Sequence, residues 1–126
     1  MRTSYYAAAA KLDRQKHFLV RTSLGSPRFM KCDAAMPELM PRREFLELGE
    51  ADYRPAYVAM LEKIGVPALK RRFAEIAKLA GNKEIVLLCF EALRPDQIAE
   101  GQFCHRRMFA DWWREKTGER IDELAR

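Results

Sequence analysis

The sequence predicts an α/β fold, namely a small three-layer domain with a mainly parallel sheet of about four strands flanked by helices. Residues Glu84–Phe90 are apolar at both sets of alternate positions after the first, which is typical of a strand buried on both faces. Candidate strands alternate with helical patterns, and this order requires crossover connections between parallel strands. The length of 126 residues fits one domain, residues 1–126.

Three further strands are predicted around this central one. Arg2–Tyr6 and Phe18–Ser23 precede it, and the second of them stops at the turn-forming residues Leu24–Pro27. A last short strand, Arg120–Leu124, follows the break at Gly118. The central strand is therefore expected to pair with neighbours that lie far from it in sequence.

Three helices are predicted between the strands. The first begins near Pro55 with Asp52 as its cap and ends at Gly65. The second follows at once from Pro67, and a third runs from about His105 to Lys116. Each helix has an apolar stripe. The stripe of the first helix is Tyr57, Met60, Leu61 and Ile64, and that of the second is Leu69, Phe73, Ile76 and Leu79 or Ala80. The stripe of the third helix is Met108, Phe109, Trp112 and Trp113.

A long irregular excursion is predicted at about residues 27–52. It contains three prolines, three methionines and many charges, with one helical turn near Arg43–Leu48. Loops of this length inside a compact domain are often functional. The methionine-rich stretch Met30–Met40 leaves open a role in docking another protein, because thioether side chains adapt readily to a partner surface.

The charge is unevenly distributed. The chain has 23 basic and 18 acidic residues, a net charge of +5. The first 31 residues carry the whole excess, with Asp13 as their only acid, and their basic residues are Arg2, Lys11, Arg14, Lys16, Arg21, Arg28 and Lys31. We interpret this cluster of basic residues as a solvent-exposed surface, and binding of nucleic acid is the alternative interpretation.

Composition also bears on the compartment. The longest apolar run, Ile85–Phe90, is far shorter than the roughly 20 residues that a membrane-spanning helix needs. The N-terminus lacks an apolar signal core, so a cytoplasmic location and no membrane partner are expected. The three cysteines, Cys32, Cys89 and Cys104, form an odd set, and in a reducing compartment we expect free thiols.

Chemically active residue types cluster at the ends of two predicted strands, where ligands bind in open parallel sheets. Some of them follow the central strand and open the last helix, and the rest lie at or beyond the end of the second strand. Glu91, Cys104 and His105 are the candidate catalytic residues, and Arg21, Ser23, Arg28, Cys89 and Arg106 are the candidate ligand-binding residues.

Each of these side chains also has a structural interpretation. Cys89 is equally typical of a small buried hydrophobe. Glu91 is expected to be hydrogen-bonded or paired with Arg106 or Arg21. His105 either packs with its polar tip bonded or acts as an acid or base. Cys104 is better placed for reactivity, since a helix N-terminus and Arg106 both favour the thiolate.

The arrangement of these motifs resembles the family called domain of unknown function 488. The resemblance rests on Leu87–Glu91 followed by Cys104–Arg106, with Thr3–Tyr5 at the start and Gly25–Arg28 after a strand. It covers nearly the whole chain, although the connection of residues 92–103 is longer than in that family. It implies a small cytoplasmic prokaryotic or phage α/β protein whose biochemical role is not established.

Metal binding is disfavoured by spacing. Cys89, Glu91, Cys104 and His105 are zinc-compatible ligand types, but they lack Cys-x-x-Cys or His-x-x-x-His spacing. The adjacent Cys104 and His105 would also diverge by about 100° if both were helical. The sequence therefore predicts no metal and no other cofactor, and the glycine-rich nucleotide-binding motifs are missing from it.

The leading functional hypothesis is a ligand-binding or enzyme-like domain that holds an anionic or phosphorylated small molecule at the carboxyl edge of the sheet. Arg106 and Arg21 would orient the anion. Glu91 and His105 would supply acid and base, and Cys104 a nucleophile or redox-sensitive thiol. The alternative is a non-catalytic nucleic-acid accessory protein that contacts phosphates through Lys11, Arg14, Lys16 and Arg28.

Overall fold

The computed structural model describes residues 1–124, which form one five-stranded sheet with helices. All strand pairs are parallel, which confirms the predicted α/β class. The strands are β1 (Arg2–Tyr5), β2 (His17–Arg21), β3 (Ala34–Ala35), β4 (Glu84–Cys89) and β5 (Asp122–Glu123). Their order across the sheet is β3-β2-β4-β1-β5, so β4 is central, as predicted.

Helices connect these strands. They are α1 (Tyr6–Ala9), α2 (Glu50–Ile64), α3 (Val66–Ala80), α4 (Pro95–Ala99) and α5 (His105–Thr117), with 3₁₀ turns at Pro37–Leu39 and Arg43–Glu47. No helix among the described residues is both long enough and apolar enough to cross a membrane.

The apolar pattern of β4 arises because the sheet is covered on both faces. Leu87 packs with Phe18 and Val20 in the larger core, which α2, α3 and α5 complete. Val86 and Leu88 lie in a smaller core on the opposite face, where α1 and the loops beside it provide the cover. Side chains alternate across a strand, so a strand covered on both sides is apolar throughout.

The larger core fixes the orientation of α5. Phe109, Trp112 and Trp113 are buried against α2 and α3, as the predicted stripe requires. The tryptophan indoles donate hydrogen bonds of 2.9 Å to Glu62 and Glu119, so their polar atoms are satisfied. Burying this face of α5 sets where its first turn meets the sheet.

On α3, the alternative left open at the end of the stripe is resolved in favour of Ala80. Ala80 is buried, whereas the Leu79 side chain is 68% exposed. Gly65 separates α2 from α3 with φ of +86°, a conformation that residues with a Cβ rarely adopt.

The predicted start of α2 is wrong. The helix begins at Glu50 with Gly49 as its N-cap, so Asp52 lies in the first turn and caps nothing. Tyr53 is buried against Phe45, and this packing favours a helix that starts before Pro55. Proline at the sixth helical position removes only one backbone donor, and acidic residues in the first turn suit the helix dipole.

The excursion at residues 27–52 is less irregular than predicted. It contains β3, which accounts for the fifth strand, and a 3₁₀ helix over Arg43–Glu47 at the predicted helical turn. Leu39, in the other 3₁₀ turn, is buried, and its carbonyl accepts a hydrogen bond of 2.7 Å from the Tyr57 hydroxyl. The excursion therefore forms one wall beside the carboxyl edge of the sheet.

Candidate functional site

A cavity of about 530 Å³ lies at the carboxyl edge of the sheet. The ends of β2 and β4, the first residues of α5 and the start of α2 surround it. Its lining is Ser23, Leu24, Gly25, Pro41, Leu46, Leu48, Tyr53, Cys89, Phe90, Glu91, Gly101, Gln102, Phe103, Cys104 and His105. Of the eight predicted site residues, Ser23, Cys89, Glu91, Cys104 and His105 thus come together here, as the topology predicted.

The rim of this cavity is apolar. Leu24, Leu46 and Phe90 are 39%, 59% and 50% exposed, although all three line the cavity. Phe90 packs edge-on against Tyr6, with ring centroids 4.7 Å apart. Large exposed apolar side chains beside a cavity are typical of a surface that contacts a ligand.

Cys89 and Cys104 are joined by a disulfide, and both are buried. Cys89 is the last residue of β4 and Cys104 is the N-cap of α5, and their Cα atoms lie 7.4 Å apart. The expectation of free thiols is therefore wrong for this pair, while Cys32 is free. That expectation rested on an odd cysteine count and on a reducing compartment, and neither shows whether two sulfur atoms lie within bonding distance.

His105 has a fixed orientation. Its Nε2 lies 2.7 Å from the backbone oxygen of Thr22, so Nε2 carries the proton and donates it to that carbonyl. Its Nδ1 then has a free lone pair and lies 3.9 Å from the sulfur of Cys104. Burial lowers the pKa of His105 to about 4, and the charge of Arg106 acts in the same direction, against the Thr22 carbonyl. The imidazole is therefore neutral near pH 7.

Arg106 is buried and holds several groups in place. Its Nε and Nη2 donate hydrogen bonds of 3.0 and 2.6 Å to the two carboxylate oxygens of Glu123. Its Nη1 lies 2.8 Å from the sulfur of Cys89 and 2.7 Å from the backbone oxygen of Glu91. Among the described residues, the carboxylate of Glu91 pairs with neither Arg106 nor Arg21, so that expected ion pair is not formed.

Glu123 is a partly buried counterion of Arg106 that sequence reasoning missed. Burial raises the pKa of Glu123, but the hydrogen bonds and charge of Arg106 outweigh it and hold the pKa below its usual range. Thr3 also donates a hydrogen bond of 2.6 Å to Glu123. Pairing of β5 with β1 brings Glu123 beside Thr3, and only the sheet order could have revealed this.

The remaining predicted arginines do not line the cavity. Arg21 donates from Nη1 to the backbone oxygens of Ser23 and Leu24, at 3.1 and 2.8 Å, and so holds the loop after β2. Arg28 is exposed outside the lining. Ser23 accepts a hydrogen bond of 2.6 Å from the Tyr6 hydroxyl and donates one of 2.7 Å to the backbone oxygen of Gly25.

Tyr53 is a lining residue that the sequence did not single out. Burial raises the pKa of Tyr53, and the nearby charge of Glu91 raises it further. Glu91 and Tyr53 both line the cavity. Tyr53 belongs to the part of α2 before Pro55, which the sequence pattern did not assign to a helix.

Three of the candidate zinc ligands form a compact group. The sulfurs of Cys89 and Cys104 and a ring nitrogen of His105 lie within 4.8 Å of one another, and all three residues are buried. One of the two arguments against a metal, the divergence of the side chains, holds only if Cys104 and His105 are both helical. Cys104 instead has extended backbone with φ of −142° and ψ of 138°, which lets both side chains face one point. Glu91 is not part of this group.

Comparisons with models of protein families, with curated proteins and with solved structures find no match. The geometry itself defines a small parallel α/β domain with a cysteine-bearing cavity at the carboxyl edge of its sheet. The resemblance to the domain of unknown function 488 family stays a prediction.

Proposed function

We propose that this protein binds a small anionic molecule in the cavity at the carboxyl edge of its sheet. The observation that carries the proposal is the convergence of five predicted site residues on one cavity with an apolar rim. An apolar part of the ligand would lie against Leu24, Leu46 and Phe90. Its anionic group would point toward the first turn of α5.

The first turn of α5 supplies the attraction for the anion. A helix N-terminus carries a partial positive charge of roughly half a unit and unpaired backbone amides. Cys104 and His105 line the cavity at this end of α5, and the first turn contains no acidic residue to cancel the charge. Glu91 is the one acidic residue in the lining. Because its carboxylate repels a second negative charge, the ligand is expected to carry one anionic group, which lies away from Glu91.

Arg106 and Arg21 have an indirect role in this proposal. Arg106 bonds the backbone of Glu91, and Arg21 bonds the backbone of Ser23 and Leu24. They therefore shape the loops on two sides of the cavity instead of contacting the anion. Glu91 and the neutral His105 remain the groups that would accept or donate protons, beside the Cys104 sulfur.

A matched pair of charge variants tests the proposal. Leu46→Glu adds a negative charge at the rim, and Leu79→Glu adds the same charge on α3, away from the cavity. A spherical cavity of this volume is about 10 Å wide. A unit charge about 10 Å from the anion costs about 0.4 kcal/mol at the dielectric constant of water, about 80, and about 1.7 kcal/mol at about 20, the value typical near a protein surface. We therefore expect Kd to rise by about two- to seventeenfold.

The measurement is thermal shift and NMR titration with inorganic phosphate, benzoate and phenyl phosphate. We expect the aromatic anions to bind more tightly than phosphate, and Leu46→Glu but not Leu79→Glu to weaken them. Equal weakening by both variants, or no binding of any probe, contradicts the proposal. Single-stranded and duplex DNA at low salt serve as a further probe, and binding only to these would favour the nucleic-acid alternative.

A further inference from the structure

We propose that the reduced cysteine pair and His105 form a zinc site at the base of the cavity. The ligands are the sulfurs of Cys89 and Cys104 and the Nδ1 atom of His105. Two thiolates and one imidazole are a ligand set that catalytic zinc uses, with a fourth position left for an exogenous ligand. The proposal deepens the proposed function and rests on the same cavity.

The spacing of the backbone suits a metal better than a disulfide. The Cα atoms of Cys89 and Cys104 are 7.4 Å apart, beyond the range of about 4.4–6.8 Å that is usual for disulfides. Zinc–sulfur bonds of about 2.3 Å in a tetrahedron place two thiolates about 3.8 Å apart. The same geometry places a thiolate and an imidazole nitrogen about 3.5 Å apart. The distance from Cys104 Sγ to His105 Nδ1 is 3.9 Å, so this pair needs little movement.

The surroundings of His105 also fit a metal ligand. Histidines that bind metals almost always donate their other ring N–H to a carbonyl or carboxylate, which fixes the tautomer and the ring orientation. His105 donates from Nε2 to the Thr22 carbonyl at 2.7 Å. Thr22 is itself held by a hydrogen bond of 2.8 Å from its hydroxyl to the Leu88 carbonyl. The lone pair of Nδ1 is thereby directed toward the cysteine sulfurs.

The buried charges balance when zinc is bound. Two thiolates cancel the charge of Zn²⁺, and Glu123 cancels that of Arg106. Arg106 Nη1 is 2.8 Å from the sulfur of Cys89, where it can donate a hydrogen bond to the thiolate. A neutral set of this kind avoids the large cost of an uncompensated charge in the interior.

The zinc would also provide a coordination position for an anion, which the side chains of the cavity lining lack. Among the lining residues there is no lysine or arginine. Because all three ligands line the cavity, the fourth position of the zinc faces the space in which the anion is proposed to bind. The ligand class is thus a small molecule whose carboxylate or phosphate oxygen coordinates zinc.

Zinc loading requires the reduced pair. A dithiol reductant transfers two electrons to the Cys89–Cys104 bond, which gives two cysteine thiols, and the reductant becomes a disulfide. Each thiol then releases one proton to solvent as its sulfur binds Zn²⁺. Zinc binding and disulfide formation therefore exclude each other at this site.

The test is a cobalt titration of the full chain, reduced with a phosphine and freed of metal with a chelator. Co²⁺ in a tetrahedral thiolate site gives thiolate-to-cobalt charge-transfer bands and intense visible bands. We expect one Co²⁺ per chain, displaced by one Zn²⁺. Cys89→Ser and Cys104→Ser should abolish the signal, and His105→Ala should weaken binding by at least about tenfold. Cys32→Ser is the matched control and should bind as the unsubstituted protein does.

A second measurement needs no substitution. Reduced protein is alkylated with iodoacetamide with and without zinc, and each cysteine is followed by mass spectrometry. Zinc should protect Cys89 and Cys104 and leave Cys32 unaffected. Folded, reduced protein that gives no tetrahedral cobalt spectrum, or alkylation of Cys89 and Cys104 that proceeds without zinc and is not slowed by zinc, overturns the site.

The two proposals fail separately. Anion binding by metal-free protein, together with a negative cobalt titration, removes the zinc site and leaves the proposed function in place. A positive cobalt titration in which no anion changes either the cobalt spectrum or the melting temperature removes the proposed function and leaves the zinc site. Signal that persists in both Cys89→Ser and Cys104→Ser shows binding elsewhere and refutes the assignment.

Discussion

Removing the carboxylate of Glu123 should destabilise the protein strongly. Glu123→Ala deletes the acceptor of two hydrogen bonds from Arg106, at 3.0 and 2.6 Å, and of one from Thr3 at 2.6 Å. The Arg106 side chain is 0% exposed, so its charge cannot be solvated in place. Removing one partner of a buried ion pair costs about 3–5 kcal/mol. Arg106 keeps contacts with Cys89 and Glu91, which places the expected loss near 3 kcal/mol within that range.

The assay is urea unfolding followed by circular dichroism. A double-mutant cycle with Arg106→Met separates the pair from its surroundings, because the double variant has no unpaired charge. We expect Glu123→Ala, Arg106→Met to be more stable than Glu123→Ala alone. A loss of less than about 1 kcal/mol in the free energy of unfolding of Glu123→Ala, the value for a surface ion pair, would refute this reasoning. So would a double variant whose loss of free energy equals the sum of the losses of the two single variants.

The same variant predicts a change in acid stability. The pKa of Glu123 in the folded protein lies below its value in the unfolded chain, about 4.3. Its contribution is therefore present above pH 4.3 and is lost as the pH falls through the folded pKa. The loss of stability below pH 4.3 should be smaller in Glu123→Ala than in the unsubstituted protein.

Two further predictions concern the imidazole and the core. The pKa of His105 is about 4 in the folded protein and about 6.5 when unfolded, so its contribution should be full above pH 6.5 and fall by about 3 kcal/mol toward pH 4. NMR should detect no protonation of His105 between pH 6 and 8, and a titration near pH 6.5 would show that it is exposed. Leu61→Ala, at a fully buried site, should cost about 2–5 kcal/mol in urea unfolding. Leu79→Ala, at a side chain 68% exposed, should stay within about 0.5 kcal/mol, and equal losses would contradict the assigned faces.

Local patterns were sufficient for the central elements of the fold. The apolar run of β4 is typical of a strand that other elements cover on both faces of the sheet, and both faces are covered. The apolar stripe on α5 identified the buried side of that helix without knowledge of its packing partners. The cavity followed from the same reasoning, because parallel strands must place their carboxyl ends at one edge. These inferences needed only the periodicity of side chains along each element.

Periodicity along single elements could not predict which residues pair when they are distant in sequence. Arg106 was expected near Glu91, 15 residues away, but its carboxylate partner is Glu123 on the edge strand β5. The short β3 and α4 carry too few residues to show a period. The divergence of Cys104 and His105 applied only if both were helical, but Cys104 has the extended backbone of an N-cap, and this conformation sets whether its sulfur reaches Cys89.

The position of β1 has a consequence for how the chain acquires its fold during synthesis. The first strand made lies between β4 and β5, and its Thr3 carbonyl accepts a hydrogen bond from the Leu124 amide. During synthesis β1 must wait for both neighbours, and β5, the later of the two, is made some 120 residues after β1. Until then the Arg106 guanidinium lacks its counterion. Completion of the sheet is thus expected only after β5 has been synthesised.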